Sequence, residues 1–278
     1  MSTPLAGRKI LITGIADEAS LALKIAVHLQ QAGAQLVCAG LGATPHQTGL
    51  SDAARSFLGE SQQRFEKAVR NALGADVPTV VFDASIDESL EDAAQALGDA
   101  GLAVDGVLHA IAMDRTIRRG EARPLLEVSR AEFLDCMSVS AYSLIGLLRA
   151  LDQRGLLNEG GSVVALSYLG AERVMTHPYR NIGVAKAALE RITRELAFEL
   201  GRSKGVRVNA VRFSPYAESR AGGAIPKLVE SVEHAAARAP LGNATPEALA
   251  MEVAYLMQPG VLVTGEMRHV DGGYHTQG

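Results

Sequence analysis

The chain has 278 residues, of which 47% are hydrophobic, 21% charged and 4% aromatic, with no tryptophan. This apolar fraction supports a large core and excludes a disordered chain or a small disulfide scaffold. The formal net charge of -4 argues against nucleic acid as the main partner. Residues 1–9 lack the apolar stretch of a signal peptide, and no apolar run approaches the roughly 18 residues of a membrane span. We therefore expect a cytoplasmic protein that binds neither nucleic acid nor membrane.

Only two cysteines occur, Cys38 and Cys136, and they lie far apart with no metal-ligand spacing around them. This usage favours buried thiols in a reducing compartment over a disulfide. The sequence predicts no metal site.

Apolar β-rich runs alternate with helical patterns along the whole chain. In the first helix, Leu21, Ile25 and Leu29 form one apolar stripe, and Gly33 marks its end. The predicted strands are 9–13, 35–39, 78–82, 104–110, 162–167, 206–212 and 267–270. The predicted helices are 20–32, 60–73, 87–97, 130–151, 179–200 and 247–257.

Short strands spaced by helices predict parallel pairing, because a parallel connection needs a crossover long enough to be a helix. The sequence therefore predicts an α/β fold: a Rossmann-type doubly wound parallel sheet of about seven strands with helices on both faces. No low-complexity linker divides the chain, so we expect one domain over 1–278. Residues 40–75 exceed what one crossover helix requires, and we interpret them as a surface insertion, with a functional lid or contact arm as the alternative.

The turn after the first strand is a candidate phosphate site. It runs from Gly14 to a helix that begins near Ser20, where backbone N–H groups can hold a pyrophosphate. Ser20 is expected to act as the N-cap and to add its hydroxyl. Gly14 is the only glycine in this turn, so the G-x-G-x-x-G fingerprint is absent and an ordinary loop is equally consistent with these residues.

Tyr179 and Lys186 are seven residues apart in a helical pattern, which places both on nearly the same face, roughly 10 Å apart along the axis. A nearby ammonium group favours the phenolate and strengthens the phenol as a hydrogen-bond donor. Both residues follow a predicted strand, where the ligands of such sheets bind. The pair is a candidate catalytic site.

Several motifs together resemble one family. They are TGIA with SLA at 13–22, HAIA at 109–112, LSYLGAER at 166–173, Tyr-x6-Lys at 179–186, GVRVNA at 205–210 and HVDGG at 269–273. These motifs resemble the NADH-dependent enoyl-acyl carrier protein reductases of bacterial fatty-acid synthesis, a divergent branch of the short-chain dehydrogenase/reductases. The resemblance covers about residues 6–274, apart from 40–75.

The resemblance implies roles for individual residues. Tyr179 stabilises the enolate that forms when hydride reaches the β-carbon, and Lys186 binds the nicotinamide ribose. Tyr168 assists as proton donor or substrate-positioning group, and Asp114 lies in the acyl-thioester pocket, where a polar substrate is conceivable. The implied cofactor-binding residues are Gly14, Ala16, Ser20, Leu21, Leu41, Asp83, Ala84, Ala110, Ile111, Ala112, Leu166, Lys186, Pro215 and Tyr216.

Three positions depart from the family pattern. Leu41 stands where a polar residue would hold the adenosine ribose, and the lack of a basic cluster favours NADH, with NADPH possible. Lys24 occupies a position where the family commonly has glycine, so it either reaches the phosphates or extends outwards. Glu218 replaces a threonine beside the pyrophosphate, where a carboxylate is repulsive, so either this loop is placed differently or cofactor affinity is reduced.

The segment between Tyr168 and Tyr179 is one residue longer than the family suggests. His177 in this segment is either a proton relay or a solvated loop residue, and the solvated reading is favoured. The resemblance further implies a mobile helix at 219–232 over the acyl chain. Four arginines at 115, 118, 119 and 123 either meet a phosphate or an acidic carrier protein, or remain solvated, which is favoured.

The leading hypothesis is an enoyl-thioester reductase whose partner is an acyl carrier protein or CoA thioester. The resemblance also implies a homotetramer built through helices 130–151 and 179–200. Two alternatives stay open: a carbonyl-reducing member of the wider superfamily, and a repurposed member that binds an acyl thioester without nicotinamide chemistry.

Overall fold

A computed structural model describes residues 3–118 and 120–277. Its main sheet has seven parallel strands in the order β3-β2-β1-β4-β7-β8-β9, which confirms the predicted Rossmann-type fold. The strands are β1 (Lys9–Thr13), β2 (Gln35–Gly40), β3 (Thr79–Val81), β4 (Val104–His109), β5 (Ile117–Arg118), β6 (Glu121–Ala122), β7 (Leu157–Tyr168), β8 (Arg207–Phe213) and β9 (Met267–Val270). The short strands β5 and β6 form a separate antiparallel hairpin that the sequence did not predict.

Helices cover both faces of the sheet. They are α1 (Leu21–Gln31), α2 (Asp52–Leu73), α3 (Asp87–Asp99), α4 (Arg130–Met137), α5 (Ser143–Gln153), α6 (Arg180–Lys204), α7 (Arg220–Gly223), α8 (Leu228–Arg238) and α9 (Pro246–Met257). On β1, Ile10 and Ile12 pack with α1, α2 and α9, whereas Leu11 packs with α3, α5 and α6. Successive side chains of a strand point to opposite faces, so one apolar strand supplies both core layers.

The predicted helix 130–151 is interrupted. A π-helical turn at Ser138–Tyr142 separates α4 from α5. Within it, Ser140 Oγ accepts a hydrogen bond from Met113 N at 2.9 Å and donates to Met113 O at 3.0 Å. The turn therefore anchors the loop that follows β4.

By length and composition alone, the stretch Arg130–Gln153 is sufficient to cross a membrane, with a mean hydropathy of 1.3 over an 18-residue window. Half of that window is buried in the fold. Leu144, Leu148 and Leu151 belong to the core layer beneath α5, so packing against the sheet accounts for the apolar character of this helix.

The segment between β2 and β3 is more helical than its sequence indicated. Helix α2 begins at Asp52, capped by the Ser51 side chain, eight residues before the predicted start at 60. Phe65 in α2 is fully buried and covers Gly40 at the end of β2. Most of 40–75 is therefore a core helix of the crossover, with loop residues before Asp52 and after Leu73.

The helix predicted over 219–232 is divided into α7 and α8. Lys227, between them, has a φ of 58°, a left-handed conformation that ends a right-handed helical path. Two short pieces therefore cover this side of the fold.

The contact between α2 and Gly40 gives a stability test. A Cβ at residue 40 would lie 2.5 Å from the Phe65 ring, so Gly40→Ala is expected to lower the free energy of unfolding by about 1–3 kcal/mol. A Cβ at Gly59, in the same helix, meets nothing within 4 Å, so Gly59→Ala is expected to raise stability by about 0.5–1 kcal/mol. Urea denaturation of both variants measures the difference, and equal effects would contradict the packing of α2.

Candidate active site

A cleft of about 340 Å³ opens where the carboxyl ends of the parallel strands meet. The start of α1, the loops after β4, β7 and β8, the start of α6, and α7 and α8 surround it. Its lining residues are Leu21, Ala112, Met113, Asp114, Ile117, Ser167, Tyr168, His177, Tyr179, Ile182, Phe213, Ser214, Pro215, Tyr216, Gly222, Ala224, Ile225 and Leu228. The wall is mainly apolar, with a few polar side chains, which is typical of a site for an organic ligand.

Three aromatic rings stand together in this wall. The ring centroids of Tyr168 and Tyr179 are 5.0 Å apart, and His177 lies 5.5 Å from the first and 5.7 Å from the second. Burial raises the pKa of both tyrosines, so each hydroxyl keeps its proton at neutral pH and remains a donor. The Tyr168 hydroxyl is buried without a hydrogen-bond partner.

His177 is 1% exposed, so the expectation of a solvated loop histidine is wrong. Its Nδ1 lies 2.9 Å from Ser231 Oγ on α8, and burial lowers the pKa of the ring to about 4. The sequence could not show this, because the burial depends on a helix more than fifty residues further along the chain.

Lys186 lies 5% exposed on α6, two turns after Tyr179. Its Nζ donates to Leu166 O at 2.8 Å and to Ile111 O at 3.4 Å, at the ends of β7 and β4. Burial lowers the pKa of Lys186 to about 8, while Glu190 acts in the opposite direction. The ammonium group is thus held beside the cleft in a low-dielectric setting.

Behind the cleft lies a buried ion network that the sequence did not indicate. Arg212 on β8 donates to Glu190 on α6 through Nε at 2.8 Å and Nη2 at 2.6 Å. Glu190 also accepts from Ser167 Oγ at 2.6 Å, and Arg212 donates to Glu172 and to His269 Nε2. The network therefore joins β7, β8, β9 and α6 immediately behind the aromatic wall.

The turn after β1 has a glycine for a steric reason. Gly14 has a φ of 83°, and a Cβ there would lie 2.1 Å from Ala110 O. Ser20 precedes α1 but does not cap it with its side chain, which corrects the sequence expectation. Ser20 Oγ instead accepts from Ala16 N at 3.0 Å and Asp17 N at 3.1 Å, within the turn. Leu23 N and Lys24 N donate to Ser20 O. The donors left for a ligand at the start of α1 are therefore the N–H groups of Leu21 and Ala22.

The carboxyl ends of β2 and β3 form the far part of the same sheet edge. Leu41 is 38% exposed there. The Asp83 carboxylate accepts from Gln47 Nε2 at 2.8 Å and from Ser85 Oγ at 2.6 Å. Ala84 follows Asp83 and is partly buried. Gln47, in the loop before α2, is a residue that the sequence analysis missed.

The loop after β8 reaches across to the phosphate turn. The Tyr216 hydroxyl lies 3.0 Å from Glu218 Oε2, to which it donates, and 3.3 Å from Ala19 O. Pro215 is buried beside it. Glu218 therefore lies next to the turn, as its sequence position suggested. Lys24 is exposed on α1 and does not line the cleft, which favours the outward orientation.

Asp114 lies in the loop after β4 and lines the cleft. Its Oδ1 accepts from Thr116 N and Oγ1, whereas Oδ2 is buried without a partner.

Of the nearby arginines, Arg115 pairs with Asp135 at 2.9 Å and Arg123 with Glu132 at 2.6 Å. These two cations are therefore engaged by α4; Arg118 is exposed, and residue 119 lies outside the described residues.

Ligand atoms of His269, Asp271 and His275 lie within 4.8 Å of one another, the spacing of a metal site. Asp271 already accepts from Gly273 N, His275 N and His275 Nδ1. Arg212 donates to His269 Nε2, which places a guanidinium cation against the cluster. Internal hydrogen bonds thus account for this cluster.

A doubly wound parallel sheet with a tyrosine and a lysine seven residues apart at its carboxyl edge defines the class of the short-chain dehydrogenase/reductases. The family model described as Enoyl-(Acyl carrier protein) reductase matches residues 14–275. The chain belongs to this enoyl-acyl carrier protein reductase family.

Individual relatives agree along the full length. The chain is 34% identical over 283 residues to the NADH enoyl-acyl-carrier-protein reductase FabI of Aquifex aeolicus, covering 99% of this chain and 93% of the relative. The solved structure of that enzyme from A. aeolicus matches with a TM-score of 0.83 at 33% identity, covering 99% of each chain. The FabI–NADH complex of Alistipes finegoldii matches with a TM-score of 0.85 at 27% identity, covering 99% of this chain and 90% of that one.

The ion network gives a second stability test. Arg212→Met leaves Glu190, which is 4% exposed, as a buried carboxylate with its main cation removed. We expect the free energy of unfolding to fall by about 3–5 kcal/mol. Arg191→Met removes an exposed pair with Glu195 on the same helix as Glu190 and is expected to cost far less.

Chemical denaturation at neutral pH measures both variants. The double variant Arg212→Met/Glu190→Leu replaces both charges with apolar groups and should recover most of the lost stability. Equal stability of the Arg212 and Arg191 variants would show that the network does not hold the site together.

Proposed function

We propose that this protein is an enoyl-thioester reductase, in which NADH delivers hydride to the β-carbon of a 2-enoyl group on acyl carrier protein or CoA. The observation that carries the proposal is the placement of Tyr168 and Tyr179 in the wall of one mainly apolar cleft at the carboxyl edge of the sheet. Lys186 Nζ lies at the same edge, bound to Leu166 O and Ile111 O. The names of the relatives agree with this activity.

The edge of the sheet fits a dinucleotide. Gly14 lets the backbone of β1 approach Ala110 closely, and the start of α1 offers free N–H groups to a pyrophosphate. Leu41 presents no cation to a 2′-phosphate, which favours NADH over NADPH. The proposed contacts are Gly14, Ala16, Ser20, Leu21, Leu41, Asp83, Ala84, Ala110, Ile111, Ala112, Leu166, Lys186, Pro215 and Tyr216. The bound cofactor supplies the hydride.

The chain's own residues then stabilise the reacting thioester. As hydride adds to the β-carbon, the C=C electrons move towards the carbonyl and leave an enolate oxygen. The protonated Tyr179 hydroxyl donates a hydrogen bond to that oxygen, where negative charge develops. Tyr168 positions the thioester or assists protonation, and Lys186 orients the cofactor through the ribose hydroxyls. Asp114 Oδ2, unpartnered in the wall, accepts from a donor group on the substrate.

The decisive experiment is titration of NADH and NADPH by fluorescence, followed by the loss of nicotinamide absorbance with crotonyl-CoA. We expect NADH binding and turnover. Failure to bind either nucleotide would overturn the redox proposal in favour of a repurposed acyl-thioester binder. Turnover of ketones without turnover of crotonyl-CoA would identify a carbonyl reductase instead.

The assigned residues are tested by substitution. Tyr179→Phe and Lys186→Ala are each expected to lower kcat/KM by about 100-fold or more, because each removes a group that acts on the transition state. Tyr255→Phe and Lys67→Ala change exposed residues on α9 and α2 and should leave the rate unchanged. Because the Lys186 ammonium loses its proton as pH rises through about 8, wild-type kcat/KM should fall above that pH. Turnover that is unchanged in Tyr179→Phe and in Lys186→Ala would contradict the proposed mechanism.

Glu218 gives a test of the pyrophosphate site. Glu218→Gln removes a negative charge beside the phosphate turn while keeping a partner for the Tyr216 hydroxyl. We expect the Kd for NADH to fall about two- to fivefold, with the gain shrinking as salt rises. Glu199→Gln changes an exposed carboxylate on α6 and serves as the control. An unchanged Kd at low salt would place the pyrophosphate elsewhere.

We also propose a homotetramer in the cytoplasm. Exposed apolar residues lie on or beside the helices expected at the contact, namely Leu126, Leu134, Val184 and Phe198. Contact between subunits would remove this apolar surface from water. Both cysteines are free and buried, which suits a reducing compartment.

A further inference from the structure

Of the buried polar atoms in the cleft wall that lack partners, two belong to neighbouring rings. They are the Tyr168 hydroxyl and Nε2 of His177. A buried polar atom left unpaired costs about 1–3 kcal/mol, so nearly all such atoms in proteins have a partner. Both residues line the cleft. Two adjacent orphaned atoms in a ligand cleft indicate that the ligand supplies their partner.

The other ring nitrogen of His177 is held by a pair of hydroxyl groups. Thr176 Oγ1 lies 3.1 Å from Ser231 Oγ, and Ser231 Oγ lies 2.9 Å from His177 Nδ1. When Ser231 Oγ accepts from Thr176 and donates to Nδ1, the ring proton is on Nε2. His177 then offers an N–H at the nitrogen that no group of the described residues occupies.

We propose that His177 is a catalytic residue whose Nε2–H donates a hydrogen bond to the thioester oxygen, beside the tyrosine hydroxyls. This inference rests on the proposed reductase function and adds a donor to it. The ring transfers no proton: hydride forms the new C–H bond at the β-carbon, the π electrons reach the oxygen, and the N–H stabilises that charge. The thioester carbonyl then re-forms as the enolate electron pair takes a proton from solvent at the α-carbon.

The electrostatics of the site suit this role. Burial keeps the imidazole neutral at physiological pH, so it carries one N–H and no charge. A neutral imidazole N–H can polarise a carbonyl and stabilise the enolate oxygen that forms from it. Water is excluded from both orphaned atoms, and a fixed donor in a dry site acts more strongly than one in water.

Two substitutions separate a donor from a packing residue. His177→Phe keeps a ring between the two tyrosines but has no N–H. His177→Gln loses the ring but keeps an N–H donor of similar reach. If the donor role is correct, kcat with NADH and crotonyl-CoA falls about 10- to 100-fold in the Phe variant and at most about threefold in the Gln variant, with little change in KM for NADH.

A purely structural role predicts the reverse order, since the Phe variant would then retain activity and the Gln variant would lose it. That order, equal losses in both variants, or no loss in either would overturn the proposal. Thermal unfolding and the Kd for NADH are measured for each variant. A selective loss of kcat in the Phe variant, with both of these unchanged, supports the donor role.

A measurement without turnover separates this inference from the proposed function. Calorimetric titration of crotonyl-CoA, with no nucleotide present, reports the ground-state hydrogen bond alone. We expect binding about threefold weaker in the Phe variant than in the Gln variant. If the wild-type protein does not oxidise NADH but the Phe and Gln variants still differ in affinity for crotonyl-CoA, His177 is retained as the thioester donor. Only the reductase function is then rejected. Equal affinities in the two variants would reject the His177 contact.

Discussion

The buried contact between Arg212 and Glu190 fixes the arrangement of the site. Arg212 comes from β8 and Glu190 from α6, and Glu190 also binds Ser167 at the end of β7. Buried charges require partners in good geometry, so these three elements cannot shift independently without exposing one charge to an apolar interior. Tyr168 follows Ser167 directly, and Lys186 precedes Glu190 by one helical turn. The ion pair therefore holds Tyr168 and Lys186 in register although it does not line the cleft.

The polar groups of this region fall into two sets with different physical states. Behind the cleft, the groups around Arg212 are hydrogen-bonded to one another. Within its wall, the Tyr168 hydroxyl, His177 Nε2 and Asp114 Oδ2 are buried and unpartnered. A satisfied network supplies rigidity, whereas unsatisfied atoms retain free energy that a ligand can release on binding. A rigid network behind unpaired polar atoms is the arrangement that electrostatic preorganisation requires.

Much of the architecture could be predicted from the sequence because its signals are local. Buried strands between helices indicated the parallel sheet, and a seven-residue spacing placed Tyr179 and Lys186 on one helix. The π-helical turn at Ser138–Tyr142 was missed, since hydrogen bonds from Ser140 to a distant loop stabilise it. The early start of α2 was also missed, because polar residues on its first turns weaken the apolar pattern while Phe65 packs against Gly40.

The sequence by itself determined the strand and helix order, the fold class, the family resemblance and the positions of Tyr168, Tyr179 and Lys186. These depend on periodicity, spacing and motif, which are properties of neighbouring residues. Only the tertiary structure decided that His177 is buried against Ser231, that Ser20 binds its own turn, and that Arg212 pairs with Glu190. Each of these depends on burial or on the position of a partner in the folded chain. The low-dielectric surroundings of a buried side chain exist only once the chain has folded around that side chain.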